Sequence, residues 1–319
     1  GVVAMQEAAL EDAFQTLMEW ADTERDIEIR ANADTPADAQ TARNFNAQGI
    51  GLCRTEHMFF DAGRLTVMRE MIFAQSSSDR RAVLERLLPM QRDDFIQLFR
   101  IMEGQPVCIR FLDPPLHEFL PHDRDGQRDL AEALNLPLSD VTRRIESMTE
   151  YNPMLGLRGV RLGVTMPEIY EMQARAVFEA AIEVSRDGTQ LVPEIMIPLV
   201  SAKREVELVK TSVDGVAAAV RTEQDADFDY RLGVMVETPR AALRAGDIAQ
   251  HCAFLSFGTN DLTQMTYGLS RDDAGRFMSD YVQQEVFAED PFRTLDVDGV
   301  GELLQLGADR GRATHPDIT

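Results

Sequence analysis

The chain has 319 residues, of which 44% are hydrophobic and 27% are charged, as is ordinary for a globular protein in water. Its 54 acidic and 32 basic residues give a net charge of −22, and such a field repels nucleic acid and anionic membranes. The length allows either two average domains or one (β/α)₈ barrel.

Cysteine usage and hydropathy exclude several further classes. Cys53, Cys108 and Cys252 lie far apart and form no CxxC pair, which indicates neither a disulfide framework nor a zinc site. The sequence has no run of about 18 apolar residues, and its first residues lack the pattern of a signal peptide. We therefore expect no membrane segment and a cytoplasmic location.

The first predicted element is an amphipathic helix. Residues 8–22 carry Leu10, Phe14, Leu17 and Met18 at helical spacing, so the apolar face of this helix is expected to pack against another part of the protein. We take residues 1–24 as an N-terminal linker helix and residues 25–319 as a single domain.

The rest of the chain alternates between hydrophobic runs and helical patterns. Helices are predicted to open at 35–38, to run through Arg100, and to cover 167–185 and the regions near 202–221, 239–250 and 298–310. Seven short apolar runs predict strands, because buried parallel strands read as such runs. These runs lie within 27–34, 49–60, 106–115, 159–164 (the weakest), 191–201, 233–243 and 254–273.

This alternation predicts an α/β fold with a parallel sheet and right-handed crossovers. Seven units in one direction favour a TIM-type (β/α)₈ barrel over an open doubly wound sheet, which would also need a GxGxxG loop after a strand. The final residues, 311–319, read as a loop after a helix, with no eighth strand behind it. We therefore expect a barrel that is truncated before its eighth strand.

Two acidic residues follow apolar runs. Glu237 comes after Val234–Val236, and Asp261 comes shortly after Phe254–Phe257. A single strand-terminal acid is more often a helix cap or the partner of an arginine. Two on adjacent strands predict a Mg²⁺ site, because this hard cation takes one or two carboxylates and leaves positions for water and substrate oxygens.

Arginines and a glycine turn are expected at the same end of the barrel. Arg54 and Arg110 directly follow hydrophobic strands, and a guanidinium there can grip a phosphate or carboxylate, although a surface salt bridge is its more common role. The segment Gly258–Asn260 offers backbone N–H groups and an amide, although it could be a plain tight turn. Arg158 and Arg271 are weaker candidates of the same kind.

Six long motifs run through the predicted barrel: GIGLCRTEHMFF (49–60), IRFLDPPLHEFLP (109–121), NPMLGLRGVRLG (152–163), PEIMIPLVS (193–201), GVMVETPRAAL (233–243) and SFGTNDLTQMTYGLSRDDAGRF (256–277). Together they resemble the C-terminal PEP/pyruvate-binding domain of the pyruvate, phosphate dikinases. PEP synthase and enzyme I of the sugar phosphotransferase system share this barrel, but the strings DPPLHEFLP, RTEHMFF and SRDD look more like the dikinases.

The resemblance implies a dimeric barrel that is one part of a three-domain phosphotransferase. It implies that a nucleotide-binding domain phosphorylates a histidine on a swivelling domain, which then exchanges the phosphoryl group with pyruvate to give PEP. By motif, Arg54 and Arg110 match catalytic arginines that bind the phosphoryl group and enolate oxygen. Glu237 and Asp261 match Mg²⁺ ligands that also contact substrate, and Gly258, Thr259 and Asn260 match further substrate contacts.

One departure limits the expected activity. In the family, a GICGEHGG-type motif on a later strand carries a cysteine that moves the proton at the methyl carbon of pyruvate, and no such motif occurs here. The histidine and ATP domains are also absent from these 319 residues, so we expect a fragment that binds ligand but makes no PEP. A Mg²⁺-dependent pyruvate aldolase or lyase and a non-catalytic PEP-binding or dimerisation module stay open as alternatives.

Overall fold

The computed structural model describes residues 12–188 and 190–319. Its centre is a parallel sheet of six strands that lie in sequence order, each hydrogen-bonded to the next. The sheet curls into a half-barrel, which confirms a TIM-type arrangement. The strands are β1 Ala31–Asn32, β2 Ile50–Arg54, β3 Val107–Arg110, β4 Glu194–Ile197, β5 Arg231–Val236 and β6 Phe254–Phe257.

Helices connect these strands and cover the outer face of the sheet. The α-helices of the described residues are α1 Asp12–Glu24, α2 Pro36–Asn44, α3 Ala62–Phe73, α4 Ser77–Ile101, α5 Arg124–Leu134, α6 Leu138–Met148, α7 Val160–Thr165, α8 Pro167–Asp187, α9 Lys203–Gln224, α10 Pro239–Leu243, α11 Ala245–Ala249, α12 Thr259–Tyr267, α13 Arg271–Ala274, α14 Met278–Gln283 and α15 Val300–Thr314. Short 3₁₀ helices cover Thr55–Phe59, Leu116–Phe119 and Pro153–Leu155. None of the helices described is long and apolar enough to cross a bilayer.

The strand predicted at 159–164 is wrong, because α7 occupies this segment. Strands β3 and β4 pair directly, with Cys108 opposite Glu194, so no strand lies between them. Gly159 begins the helix with φ +56°, and a Cβ there would lie 2.7 Å from Cβ of Leu199. The apolar residues of this motif therefore pack the first turn of a helix, and the described sheet has six strands instead of seven.

The start of the chain also differs from its prediction. The first strand is only the two residues of β1, since Ile27 and Ile29 are exposed instead of paired in the sheet. The predicted N-terminal helix is present as α1, but none of its residues is buried. Residues 8–11 of the predicted helix lie outside the described part of the chain.

The inner face of the sheet determines which side chains reach the site. Cys108, Met196, Met235 and Phe254 form a small cluster in the barrel interior. Side chains alternate along a strand, so the residue two positions after each of these also faces inward. Arg110 follows Cys108 by two, and Glu237 follows Met235 by two, which directs both towards the interior at the carboxyl end of the sheet.

Candidate functional site

The site lies at the carboxyl ends of the inner strands, where a barrel of this type places its functional groups. Here β3 ends at Arg110, β5 is followed at once by Glu237, and β6 leads through Gly258 into the first turn of α12, which carries Asp261. Three strand ends that are far apart in the chain thus deliver polar groups to one end of the sheet.

Arg110 is buried between two carboxylates. Its Nη2 donates to Glu56 Oε1, and its Nη1 lies 3.1 Å from Asp113 Oδ2, while only 9% of the side chain is exposed. Burial lowers the pKa of this guanidinium, but Asp113, Glu56 and Glu237 outweigh that effect and raise it. Arg110 is therefore a fixed cation in a pocket of carboxylates, with its orientation set by two of them.

Arg158 continues this series of charged side chains across the carboxyl end of the sheet. Its Nη2 donates to Asp113 Oδ2 at 2.6 Å and to Asp261 Oδ2 at 3.0 Å, and its Nε donates to Asp113 Oδ1 at 3.2 Å. Asp113 follows β3 and Asp261 follows β6, so one arginine links two elements separated by β4 and β5. The result is a line of alternating charges that runs Glu56, Arg110, Asp113, Arg158, Asp261.

Glu237 is the most deeply buried acid of the site, with 2% of its surface exposed. Burial, together with the nearby carboxylates Asp113 and Asp261, raises its pKa to about 8, against the opposing effect of Arg110. Its Oε1 accepts a 2.6 Å hydrogen bond from the backbone N–H of Leu199. Leu199 has φ +56°, an uncommon conformation for leucine, and the N–H of this strained residue is the one that fixes the carboxylate.

Gly258 makes room for this carboxylate. A Cβ at position 258 would lie 2.5 Å from Oε2 of Glu237 and 2.9 Å from its Cβ. Thr259 and Asn260 then begin α12, where Asn260 Nδ2 donates to Asp261 Oδ1 at 3.1 Å. Arg271 donates to Asn260 Oδ1 at 2.7 Å, so this weaker candidate holds the amide of Asn260.

Arg54 has a different partner. Its backbone N–H donates to Asp34 Oδ1 at 2.7 Å, and its Nη1 donates to Asp34 Oδ2 at 3.1 Å. Its Cα pairs with that of Arg110 across β2 and β3, yet a third of its side chain is exposed. The structure thus places Arg54 on the neighbouring strand end, but its side chain is held towards β1 instead of in the line of alternating charges.

A cleft of about 860 Å³ opens beside this line. Its walls come from the loop after β3, the segment before α7, and the region from α12 to α13. Its lining residues are Glu56, Asp113, Pro114, Pro115, Glu118, Tyr151, Asn152, Pro153, Met154, Leu155, Arg158, Gln264, Met265, Gly268, Leu269, Ser270, Asp272 and Asp273. Glu56, Asp113 and Arg158 therefore face a cleft that a molecule can enter from solvent.

Two residues of the line, Asp113 and Glu56, were not among the predicted site residues, and a third, Arg158, was predicted as a weaker candidate. Asp113 is the first acid after the apolar run that ends β3, and Glu56 stands two residues after Arg54, so the rule that selected Glu237 also covers both. Arg158 was expected to bind an anionic ligand, and in the structure its guanidinium donates to the carboxylates of Asp113 and Asp261. A signal at the strand ends therefore existed for Asp113 and Glu56, whereas the partners of Arg158 depend on the fold.

The residues present fit a divalent cation. Within residues 12–188 and 190–319 no group of three or more His, Cys, Asp or Glu side chains forms a metal cluster. Mg²⁺ needs only one or two protein carboxylates, and the excess of buried negative charge around Glu237 is what a cation would relieve. Glu237 and Asp261 supply hard oxygen ligands of the type that this ion prefers.

Comparison with known proteins gives a consistent family. Residues 8–314 match the family described as PEP-utilising enzyme, PEP-binding domain. The chain is 52% identical over 315 residues to a pyruvate, phosphate dikinase of Rhizobium meliloti (strain 1021), covering 98% of this chain and 35% of the relative. It is 52% identical over 318 residues to that of Giardia intestinalis, and 49% identical over 319 residues to that of Clostridium symbiosum. These matches cover 100% of this chain and 36% of each relative, so the chain spans about a third of their length.

Proposed function

The chain belongs to the family of PEP-binding domains of PEP-utilising enzymes, and from this premise we propose that it is the PEP/pyruvate-binding barrel of a pyruvate, phosphate dikinase. In this proposal the barrel binds Mg²⁺ and pyruvate or PEP, and a phosphohistidine on another domain exchanges its phosphoryl group with the ligand. The overall reaction would convert ATP, phosphate and pyruvate to AMP, diphosphate and PEP. The ATP-binding domain and a second copy of the chain complete the proposed assembly.

The observation that carries the proposal is the convergence of Arg110, Glu237 and Asp261 at one end of the sheet. Glu237 and Asp261 would hold Mg²⁺, and the bound ion would stabilise negative charge on the enolate and carboxylate oxygens of the ligand. Arg110 would offset the charge of the anionic ligand from its fixed position between Glu56 and Asp113. Gly258 would let the Glu237 carboxylate keep its position, because a side chain at 258 would displace it.

The remaining predicted contacts complete this arrangement. Thr259 and Asn260, in the first turn of α12, would donate to ligand oxygens, because the first N–H groups of a helix have no partner within it. Arg54 would contact the phosphoryl group, which requires its side chain to share or leave Asp34. The cleft beside Arg158 would admit the histidine that delivers the phosphoryl group.

Calorimetric titration of the chain with oxalate, a planar dianion shaped like the enolate of pyruvate, tests this function. Oxalate is expected to bind in the presence of Mg²⁺ and to lose most of its affinity in Glu237→Gln and Asp261→Asn. The exposed Glu85→Gln is the matched control and should bind like the unaltered chain. An oxalate affinity that does not depend on Mg²⁺ and is unchanged in both variants would refute the proposed site.

Turnover assays separate the proposed function from its competitors. The 319-residue chain supplied with ATP, phosphate and pyruvate is expected to make no PEP, because in this proposal the phosphohistidine that passes the phosphoryl group from ATP to pyruvate lies on another domain. Cleavage or formation of an oxo-acid by the chain without ATP would instead favour an aldolase or lyase.

A further inference from the structure

Leu199, two residues after the end of β4, has a backbone conformation that leucine rarely adopts. Its φ is +56°, in the left-handed region, where the Cβ of an L-residue comes too close to the following carbonyl oxygen. Residues in such conformations persist only where the surrounding structure holds them. The N–H of Leu199 donates to Glu237 Oε1 at 2.6 Å, so the unusual conformation occurs at a residue that touches the proposed cation site.

The peptide group between Pro198 and Leu199 is held at both of its ends. Its carbonyl oxygen accepts a 3.0 Å hydrogen bond from the N–H of Val160, and its N–H donates to Glu237. The C=O and N–H of one trans peptide point in opposite directions within a single plane. A rotation that brings the φ of Leu199 to a negative value therefore turns the N–H away from Glu237.

The side chain of Leu199 supplies the anchor that offsets this strain. None of its surface is exposed, and Gly159 covers it so closely that a Cβ on Gly159 would lie 2.7 Å from Cβ of Leu199. Burial of a leucine side chain stabilises a protein by enough to offset the cost of one left-handed residue. The apolar contact and the direction of the N–H are therefore linked through a single backbone angle.

We propose that Leu199 is a positioning residue: its buried side chain holds the left-handed conformation that directs its N–H to Glu237 and so orients this carboxylate for the cation. The inference rests on the proposed function, since Glu237 is a ligand of the proposed cation site. Without this N–H, the carboxylate of Glu237 would be free to turn. Partners that orient a ligating group typically contribute about 10- to 100-fold to metal affinity.

Side-chain packing and backbone positioning predict different orders of cation affinity at position 199. If packing alone decided the affinity, Leu199→Gly would bind the cation no better than Leu199→Ala, because glycine fills less space. Positioning predicts the reverse order. Glycine adopts a positive φ without steric cost, whereas alanine lacks the buried anchor and relaxes to a negative φ. Leu199→Met keeps a large apolar side chain and should bind like the unaltered chain.

The test uses Mn²⁺ as the probe, with its binding to the chain measured by electron paramagnetic resonance. We expect Leu199→Ala to bind Mn²⁺ about 5- to 30-fold more weakly than Leu199→Gly, the factor that corresponds to the cost of a left-handed L-residue. Equal affinities in these two variants, or weaker binding in Leu199→Gly, would overturn the inference.

A second pair keeps the test valid if either small variant does not fold, which circular dichroism checks. The β-branched side chain of Leu199→Val disfavours a positive φ most strongly, whereas Leu199→Met tolerates it as leucine does. Leu199→Val is therefore expected to bind Mn²⁺ at least about fivefold more weakly than Leu199→Met. Equal affinities in this pair would likewise overturn the inference.

Leu98 supplies the matched control. It is as deeply buried as Leu199, but it lies in the interior of α4. Leu98→Ala and Leu98→Gly should leave Mn²⁺ affinity unchanged, and a loss in them equal to that in Leu199→Ala would contradict a specific role for Leu199. Mn²⁺ binding that is unchanged in Glu237→Gln would refute the proposed function together with this inference. Binding that depends on Glu237 but is equal in Leu199→Ala and Leu199→Gly would refute the inference alone.

Discussion

Glu237 and Gly258 lie so close together that only a residue without a side chain fits at position 258. A Cβ built on Gly258 would be 2.5 Å from Oε2 of Glu237, a separation that requires one of the two to move. The loop after β6 is therefore shaped around the carboxylate that follows β5.

Gly258→Ala should consequently displace Glu237 and reduce Mg²⁺-dependent oxalate binding by at least about tenfold, since a shift of an ångström at a binding group has effects of this size. Gly215→Ala in α9 is the control, because a Cβ there meets nothing within 4 Å. It should leave binding unchanged and stabilise the fold by about 0.5–1 kcal/mol, as alanine does in a helix interior. Full oxalate affinity in Gly258→Ala would contradict the tight fit.

The pKa of Glu237 predicts how stability depends on pH. Burial raises this pKa from 4.5 to about 8, so folding favours the protonated form. The unfolded chain ionises this group near pH 4.5 and the folded chain only near pH 8, so the stability contribution is fully present below the first value and is lost as the pH rises towards the second.

Glu237→Gln removes this dependence. In the absence of divalent cations, thermal or urea unfolding should show the variant to be more stable than the unaltered chain at pH 8.5, by about 1–3 kcal/mol, because the unaltered chain must then keep a buried carboxylate ionised beside Asp113 and Asp261. The difference should shrink as the pH falls to 5. The exposed Glu85→Gln should show no such trend, and a variant less stable than the unaltered chain at pH 8.5 would contradict the prediction.

The two arginines predicted as catalytic should differ in their effect on folding. Arg110→Met leaves Glu56 and Asp113 buried without their shared partner, and such a loss typically costs about 3–5 kcal/mol. Arg54→Met removes a more exposed pair with Asp34 and should cost about 1 kcal/mol or less. Urea unfolding of both variants at neutral pH measures the difference. Equal losses in the free energy of unfolding would show that burial does not make Arg110 more important for stability than Arg54.

The three thiols should be inert in the folded chain. Burial raises the pKa of Cys53 and Cys108, and that of Cys252 to about 12, so almost no thiolate exists at pH 8. Iodoacetamide should label none of them in the native state within the time that labels all three in denaturant, as measured by mass spectrometry. Rapid labelling of any one in the folded chain would place it in a more open environment.

Most elements of the fold were predictable from local patterns. The helix cap at Thr35, for example, forms with its side chain bonded to Asp38, as the sequence Thr-Pro-Ala-Asp indicates. The run Gly159–Val164 was one exception, since a short apolar stretch has no periodicity long enough to separate a buried strand from one turn of a buried helix. That choice depends on whether β3 and β4 are neighbours, and this is a tertiary property.

The candidate site was predicted only in part for a related reason. Glu237 and Asp261 could be placed at one end of the sheet because parallel strands end together and a polar residue after an apolar run marks that end. The separate partners of Arg54 and Arg110 were not predictable, although both follow strands in the same way. Asp34 and Glu56 each stand near a strand end too, and sequence alone does not say which carboxylate faces which guanidinium.

The amino-acid sequence by itself determined most of the helices and strands, the parallel order of the sheet and the family, since these depend on periodicity, strand ends and long motifs read along the chain. The tertiary structure alone decided that Arg158 bridges Asp113 and Asp261, that Arg54 turns to Asp34, and that Gly258 leaves space for Glu237. The physical reason is that these relationships join residues 20 to 103 positions apart, and their distances are set by the curvature of the sheet.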